Sequence, residues 1–323
     1  MIKKLSIAAA ALLTVVAGVA VTVQQASAAT GFYVSNGRLL DANNQDFVMR
    51  GINHAHTWYT GQTSAFRNIK ATGANTIRVV LSATNTTLAD ARNVVSLCKT
   101  NKLVCVMEVH TTTGYGDNAS AITLSQAADY WIKIKSAVVG QERYVIVNIG
   151  NEPIGNNNAS RWTGDTRGAI SKLRSNGFTH TLMVDGPNWG QDHSNTMRNN
   201  AASILASDPN RNVIFSVHMY GVYGTASKIR DYLNYYTSRK LPILVGEFGN
   251  NHSDGDVDEA TIFSHCQSNR IGYIGWSWSG NGSSVRYLDM VNSWNANSLT
   301  SWGQRIINGA NGIKATSRQA SIY

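Results

Sequence analysis

Eight short apolar, β-branched runs punctuate the chain: Phe47 to Ile52, Thr76 to Leu81, Leu103 to Val109, Tyr144 to Ile149, Thr181 to Val184, Val213 to Val217, Ile243 to Val245 and Ile271 to Trp276. Each is near-continuous rather than alternating, as strands buried on both faces should be. Between them the period changes. Leu124, Ala127, Ala128, Trp131 and Ile132 recur at the spacing of one helix face, and similar stripes run near Val94 to Leu97, Ile170 to Leu173 and Ile229 to Leu233. Successive runs begin about 30 to 40 positions apart, room for one crossover helix and its loops. Repeated eight times, this unit predicts an α/β protein with a (β/α)8 barrel. The competing open, doubly wound sheet would need a glycine-rich phosphate loop after the first strand, and none follows Ile52. Ahead of the barrel, Gly31 to Asp46 holds two strand-like pieces around Ser35-Asn36-Gly37. Asn-Gly is a hairpin signal, and the pieces predict a short β-hairpin lying over the barrel's N-terminal end.

The first residues follow a different rule. Lys3 and Lys4 precede an apolar stretch from Leu5 to Val23, and Ala26-Ser27-Ala28 is a small-x-small cleavage site. Residues 1–28 therefore read as a secretory signal peptide. The run is long enough to span a membrane, but the polar Gln24-Gln25 and the cleavage motif follow directly, and no second apolar span exists downstream. The expectation is an exported protein, residues 29–323, forming one domain. A composition of 43% hydrophobic and 9% aromatic residues excludes disorder. The net charge of +9 comes from basic residues scattered singly, such as Arg67, Lys70, Lys99 and Lys102, which implies a solvated surface and no nucleic-acid partner. Of three cysteines, Cys98 and Cys105 are close enough in sequence to predict a disulfide in an oxidising compartment, leaving Cys266 as a buried thiol.

In a barrel, the C-terminal strand ends face the active site. They carry Arg78, Glu108-Val109-His110, Asn151-Glu152-Pro153, His218-Met219-Tyr220, Gly246-Glu247-Phe248-Gly249 and Trp276-Ser277-Trp278. Two carboxylates, Glu152 and Glu247, thus lie on opposite sides of one ring with Arg, Asn, His, Tyr and Trp around them. That inventory suits glycosidic bond cleavage, which needs one acid for the leaving oxygen, one carboxylate for the anomeric carbon and an aromatic face for the sugar.

These residues resemble family 5 of the glycoside hydrolases and, within it, the bacterial endo-β-1,4-mannanases. The similarity runs from Phe47-Val48-Met49-Arg50-Gly51 through Ala74-Asn75-Thr76-Ile77-Arg78 and Asn148-Ile149-Gly150-Asn151-Glu152-Pro153 to Gly275-Trp276-Ser277-Trp278-Ser279-Gly280-Asn281. The resemblance implies Glu152 as acid/base and Glu247 as nucleophile. It implies Arg78 and Tyr220 holding Glu247, Asn151 at the sugar 2-hydroxyl or Glu247, His110 and His218 shaping the pocket, and Trp276 beneath the reacting sugar. Trp278 shares a face with Trp276 by the period of two, so it too is a candidate to stack on the sugar, with Trp276 the one the resemblance favours. By the same alternation Glu108 lies behind His110. His54, His56 and Trp58 either line distal subsites or pack their loop, whereas Trp189, on the loop after the fifth strand, is a natural sugar platform.

No cofactor is expected for catalysis. Asp254, Asp256 and Asp258 begin like a calcium loop, without the glycine and distant Glu of an EF-hand, and a helix N-terminus with acids facing its positive end is the alternative. The expected substrate is β-mannan, glucomannan or galactomannan, cut within the chain by a retaining monomer. A β-1,4-glucanase is the runner-up, since the two sugars differ only at the 2-hydroxyl. A silent carbohydrate-binding protein would have no need of both carboxylates.

Overall fold

The computed structural model describes residues 30–323, so the predicted leader lies outside the described residues. A hairpin of β1 (Tyr33–Ser35) and β2 (Arg38–Leu40) comes first. Eight parallel strands follow: β3 (Arg50–His54), β4 (Thr76–Leu81), β5 (Val104–Val109), β6 (Val145–Asn148), β7 (Leu182–Asp185), β8 (Val213–Met219), β9 (Ile243–Phe248) and β10 (Gly272–Gly275). They close into a barrel in which β10 pairs with both β9 and β3. The barrel and the hairpin are those that the hydrophobic pattern predicts. Among the described residues no helix is long and apolar enough to cross a membrane.

Alternation along β5 shows how the apolar runs are used. Val104 and Val106 point inward to a floor cluster with Ile146, Met183, Ile214, Leu244 and Ile274, while Cys105, Met107 and Val109 point outward against the helices. Helix Leu124–Lys133 starts with a capping box, Thr123 accepting from the Gln126 N–H and the Gln126 side chain accepting from the Thr123 N–H. It buries Leu124, Ala127, Ala128 and Trp131 as the stripe predicts. Trp131 Nε1 then donates to the Ile149 carbonyl at 2.9 Å, fixing the backbone just before Asn151-Glu152.

The N-terminal end of the barrel is sealed by residues from both ends of the described chain. Phe32, Leu39, Phe47 and Met49 pack with Ala320 onto the inward floor residues. Ser321 donates from its N–H and its hydroxyl to Asp41, and the Tyr323 hydroxyl donates to the Leu103 carbonyl at 2.8 Å. The first apolar run therefore begins before β3 because Phe47 and Met49 belong to this seal rather than to the strand.

The predicted Cys98–Cys105 bridge is not formed: both are free, buried thiols. Cys98 lies in helix Leu88–Thr100 and Cys105 on β5, in the apolar layer between them, where each packs as a small hydrophobe. Burial pushes the Cys98 thiol well above its ordinary value, with a hydrogen bond to Cys105 adding to the effect. That disfavours the thiolate that disulfide formation requires. Cys266 is also buried, and burial pushes its thiol up to about 12.

Candidate active site

Above the apolar floor, the inward positions turn polar. Arg78, midway along β4, and Asn53 on β3, Glu108 on β5, Asn148 on β6, Asp185 on β7, His218 on β8 and Glu247 on β9, at or near the C-terminal strand ends, are all buried. Arg78 ties them together. Its Nε donates to Asn148 Oδ1 at 2.9 Å, its Nη1 to Asn53 Oδ1 at 3.0 Å and Glu247 Oε1 at 2.6 Å, and its Nη2 to Asn151 Oδ1 at 2.7 Å and Asp185 Oδ2 at 3.0 Å. Tyr220 donates its hydroxyl to the other oxygen of Glu247, at 3.1 Å. The nucleophile candidate is thus gripped on both oxygens by donors.

Glu247 reaches this layer through a shift in register. Val217 lies opposite Val245, but His218 lies opposite Glu247, which leaves Gly246 as an extra residue on β9. A Cβ on Gly246 would sit 2.1 Å from Ser216 Oγ, so glycine is required where the two strands approach.

Glu152 follows β6 in a left-handed backbone conformation, φ +38°, with its N–H donating to Asp185 Oδ2 at 3.3 Å. Its Oε1 lies 2.9 Å from His218 Nδ1. One oxygen of Glu152, one of Glu247 and a ring nitrogen of His218 lie within 4.8 Å of one another. Burial holds Glu152 above the usual carboxylate range, Glu247 adding to the rise while the hydrogen bond and charge of His218 oppose it. Asp185 goes the other way. Burial disfavours its charge, but His218 and Arg78 overcome that and bring it down to about 2. Burial likewise opposes charge on His218, yet Glu247 and Asp185 raise it to about 10. His110 is raised against its burial by Glu108, whose Oε1 lies 2.9 Å from its Nδ1. The arrangement can present one acid with its proton and one ion-paired carboxylate to the same bond.

The two carboxylates open into a cleft of about 640 Å³ that is also lined by His110, Trp189, Tyr220 and Trp276. Trp276 stacks beside His110 at 5.9 Å, and its indole N–H donates to Asn281 Oδ1 at 2.8 Å. Trp189 donates to Asp117 Oδ2 at 3.2 Å and packs so closely on Gly114 that a Cβ there would be 2.4 Å from the ring. Trp58 is 54% exposed and stands edge-on to His110 at 5.0 Å, beside an adjoining hollow bordered by Asn85 and Asn118. His110 lines both spaces.

Two candidates lie elsewhere. Trp278 is 1% exposed and packs in the outer core, because β10 ends at Gly275 and strand alternation no longer applies to Trp276 and Trp278. His54 is buried against Phe66, His56 and Trp294, on the outward face of β3, and burial brings its ring down to about 3. The inward residue is its neighbour Asn53. His56 is buried too, with Nε2 at 3.1 Å from both oxygens of Asp90. Nor do the three aspartates converge on one site. Asp254 accepts from Gln191 Nε2 at 2.7 Å and Gly221 N at 3.1 Å, whereas Asp258 caps helix Glu259–Asn269 by accepting from Thr261 N at 2.9 Å. The sequence reading missed Asn53, Asn148 and Asp185. Asp185 directly follows the fifth apolar run, and that position at a strand end is the available signal.

Residues 40–282 match the family described as cellulase (glycosyl hydrolase family 5). The chain belongs to that family. This family 5 glycoside hydrolase is 58% identical over 302 residues to the mannan endo-1,4-beta-mannosidase of Streptomyces lividans, spanning 92% of this chain and 79% of the relative. It is 51% identical over 303 residues to the mannan endo-1,4-beta-mannosidase of Cellvibrio japonicus, spanning 92% and 70%. Among solved structures, the β-mannanase of Thermomonospora fusca in its mannohexaose complex is similar with a TM-score of 0.89 and 53% identity, covering 91% of this chain and 99% of that one.

Proposed function

We propose that this hydrolase is an exported, retaining endo-β-1,4-mannanase acting on mannan, glucomannan and galactomannan. The observation that carries the mechanism is the approach of one Glu152 oxygen and one Glu247 oxygen to within 4.8 Å. Retaining glycosidases hold their carboxyl groups about 5 to 5.5 Å apart, whereas inversion needs at least about 6.5 Å to admit water. The choice of sugar is supported by the relatives named as mannan endo-1,4-beta-mannosidases and by the neighbour solved with mannohexaose. Export is supported by Lys3, Lys4 and the Ala26-Ser27-Ala28 motif.

In the first step Glu247, held by Arg78 and Tyr220, attacks the anomeric carbon as the bond to the leaving oxygen breaks. The proton of Glu152 goes to that oxygen. Glu152, now a carboxylate, then takes a proton from water as the water oxygen attacks the anomeric carbon, breaking the bond to Glu247 and returning both residues to their starting states. No cofactor enters either step. Because burial keeps Glu152 protonated above the usual range, the first step persists to higher pH than an ordinary carboxyl would allow and fails as pH rises through that value.

Reducing-sugar release from galactomannan and from carboxymethylcellulose, with Glu152→Gln as control, tests the reading. Release from galactomannan alone is expected. Release from carboxymethylcellulose alone would make the chain a glucanase with the same machinery, and undiminished activity in the control would refute the acid assignment.

A further inference from the structure

We propose that Asp185 is a positioning residue for the reaction, a single buried carboxylate that holds the acid and the nucleophile in register with each other. The inference rests on the glycosidase reading and adds to it a residue that touches neither the sugar nor the water.

Asp185 is the last residue of β7 and is fully enclosed. Its Oδ2 accepts from Arg78 Nη2 at 3.0 Å and from the Glu152 N–H at 3.3 Å, and lies 3.3 Å from His218 Nε2. Its Oδ1 accepts from Asn148 Nδ2 at 3.1 Å. Two arms leave this carboxylate. Through Arg78, whose Nη1 is 2.6 Å from Glu247, it fixes the nucleophile. Through His218, whose Nδ1 is 2.9 Å from Glu152, it fixes the acid, and it also holds the acid's own backbone N–H in a conformation that a non-glycine residue adopts only when its surroundings impose it.

The second arm defines the state of the imidazole. Nε2 faces Asp185 and Nδ1 faces Glu152, with Glu247 Oε2 at 3.5 Å from Nδ1. Of the carboxylates beside the ring, Asp185 and Glu247 are ion-paired to Arg78 and only accept, whereas Glu152 carries its proton. Asp185 against Nε2 and Glu247 against Nδ1 favour a proton on each nitrogen, and His218 stands as a cation beside the protonated Glu152. The remaining charged and titratable neighbours act on those three: Arg78 on Asp185 and Glu247, Tyr220 on Glu247, and His110 on Glu152. Removing Asp185 takes one of the two anions, Asp185 and Glu247, from His218. With that cation weakened, Glu152 keeps its proton to higher pH.

A merely structural Asp185 would serve to balance the buried Arg78, and a charge swap separates the two roles. Asn148 accepts from Arg78 Nε and donates to Asp185, so Asp185→Asn/Asn148→Asp leaves one carboxylate and one amide beside Arg78 but moves the carboxylate away from His218. The experiment measures kcat and KM on galactomannan across pH, with Tm, for the wild type, Asp185→Asn and the swap. In Asp185→Asn, kcat/KM should fall by about a hundredfold, mostly in kcat, with the alkaline limb of the profile displaced upward. The swap should regain Tm without regaining kcat or the limb. Recovery of all three by the swap, or a wild-type profile in Asp185→Asn, would overturn the proposal.

A second measurement needs no variant. Histidine ¹⁵N NMR of the wild-type chain at pH 7 should show both ring nitrogens of His218 protonated, and a neutral ring would refute the arrangement. A wild type inert on every β-1,4-glycan tried would instead sink the proposed function, with the NMR result still deciding the inference.

Discussion

Gly246→Ala isolates the contribution of backbone placement to catalysis, because Gly246 carries no functional group of its own. An added Cβ would meet Ser216 Oγ at 2.1 Å and Met183 Cε at 3.2 Å. The first contact falls more than about 1 Å short of ordinary packing, and interiors packed at crystal density have little slack to return. The strand also cannot drift freely, since the Gly246 carbonyl accepts from Asn53 Nδ2 at 3.2 Å. Overpacking of this kind costs about 1 to 3 kcal/mol, read as a Tm several degrees lower. Glu247 is the next residue, and a displacement of about 1 Å at a reacting group lowers kcat by about a hundredfold. The structure supplies its own rescue. Ser216→Ala removes the Oγ, and in that background the new Cβ would meet Met183 Cε, the end of a flexible side chain, at 3.2 Å and the Ser216 Cβ at 3.4 Å. Steady-state kinetics on galactomannan and thermal melts of the two single variants and the double check the argument. Wild-type kcat in Gly246→Ala, or a double variant no better than Gly246→Ala, would refute it.

Trp189→Ala removes a ring held by Asp117 and Gly114 at the cleft wall, and should raise KM about tenfold while leaving kcat within a few-fold, measured with defined oligosaccharides. His54→Phe should preserve activity and flatten the pH dependence of stability seen by denaturant titration. The folded ring titrates near 3 against an ordinary 6.5, so its contribution is full above 6.5 and is lost as pH falls toward 3. Thiol titration without reductant should find no reactive cysteine in the native protein and all three after unfolding; a count of one after unfolding would restore the Cys98–Cys105 bridge.

The barrel was legible because its strands are buried on both faces and therefore apolar throughout. The same reading lost the strands where function begins. β9 was cut at Val245 although it continues through Gly246 and Glu247 to Phe248, and β8 was cut at Val217 although it includes His218. Glu152, Glu247, Arg78, Asn151, His218, Tyr220 and Trp276 were legible as types at strand ends, and the structure gathers them around one cleft. Asn53 carries no signal in one dimension, since an amide beside His54 suggests no chemistry by itself. Only the direction of the β3 side chains distinguishes the two. Asp185, just after its apolar run, resembles the beginning of a polar loop in one dimension, Asn148 is a lone amide inside one, and the burial of both depends on partners from several other strands. Trp278 was misplaced by extending a period of two beyond Gly275, where the strand had already ended.

The seal at the barrel floor bears on how such a domain could be joined to other things. Phe32 and Ala320 pack in the same cluster beneath the strands, and Tyr323 is pinned to Leu103 just ahead of β5, while the cleft opens at the opposite end. A bead, a surface or a second folded unit attached beyond Tyr323 would stand a barrel's height away from the polysaccharide. The face that grips sugar is left open, and the attachment point can be chosen for reach and orientation without entering the path of the chain being cut.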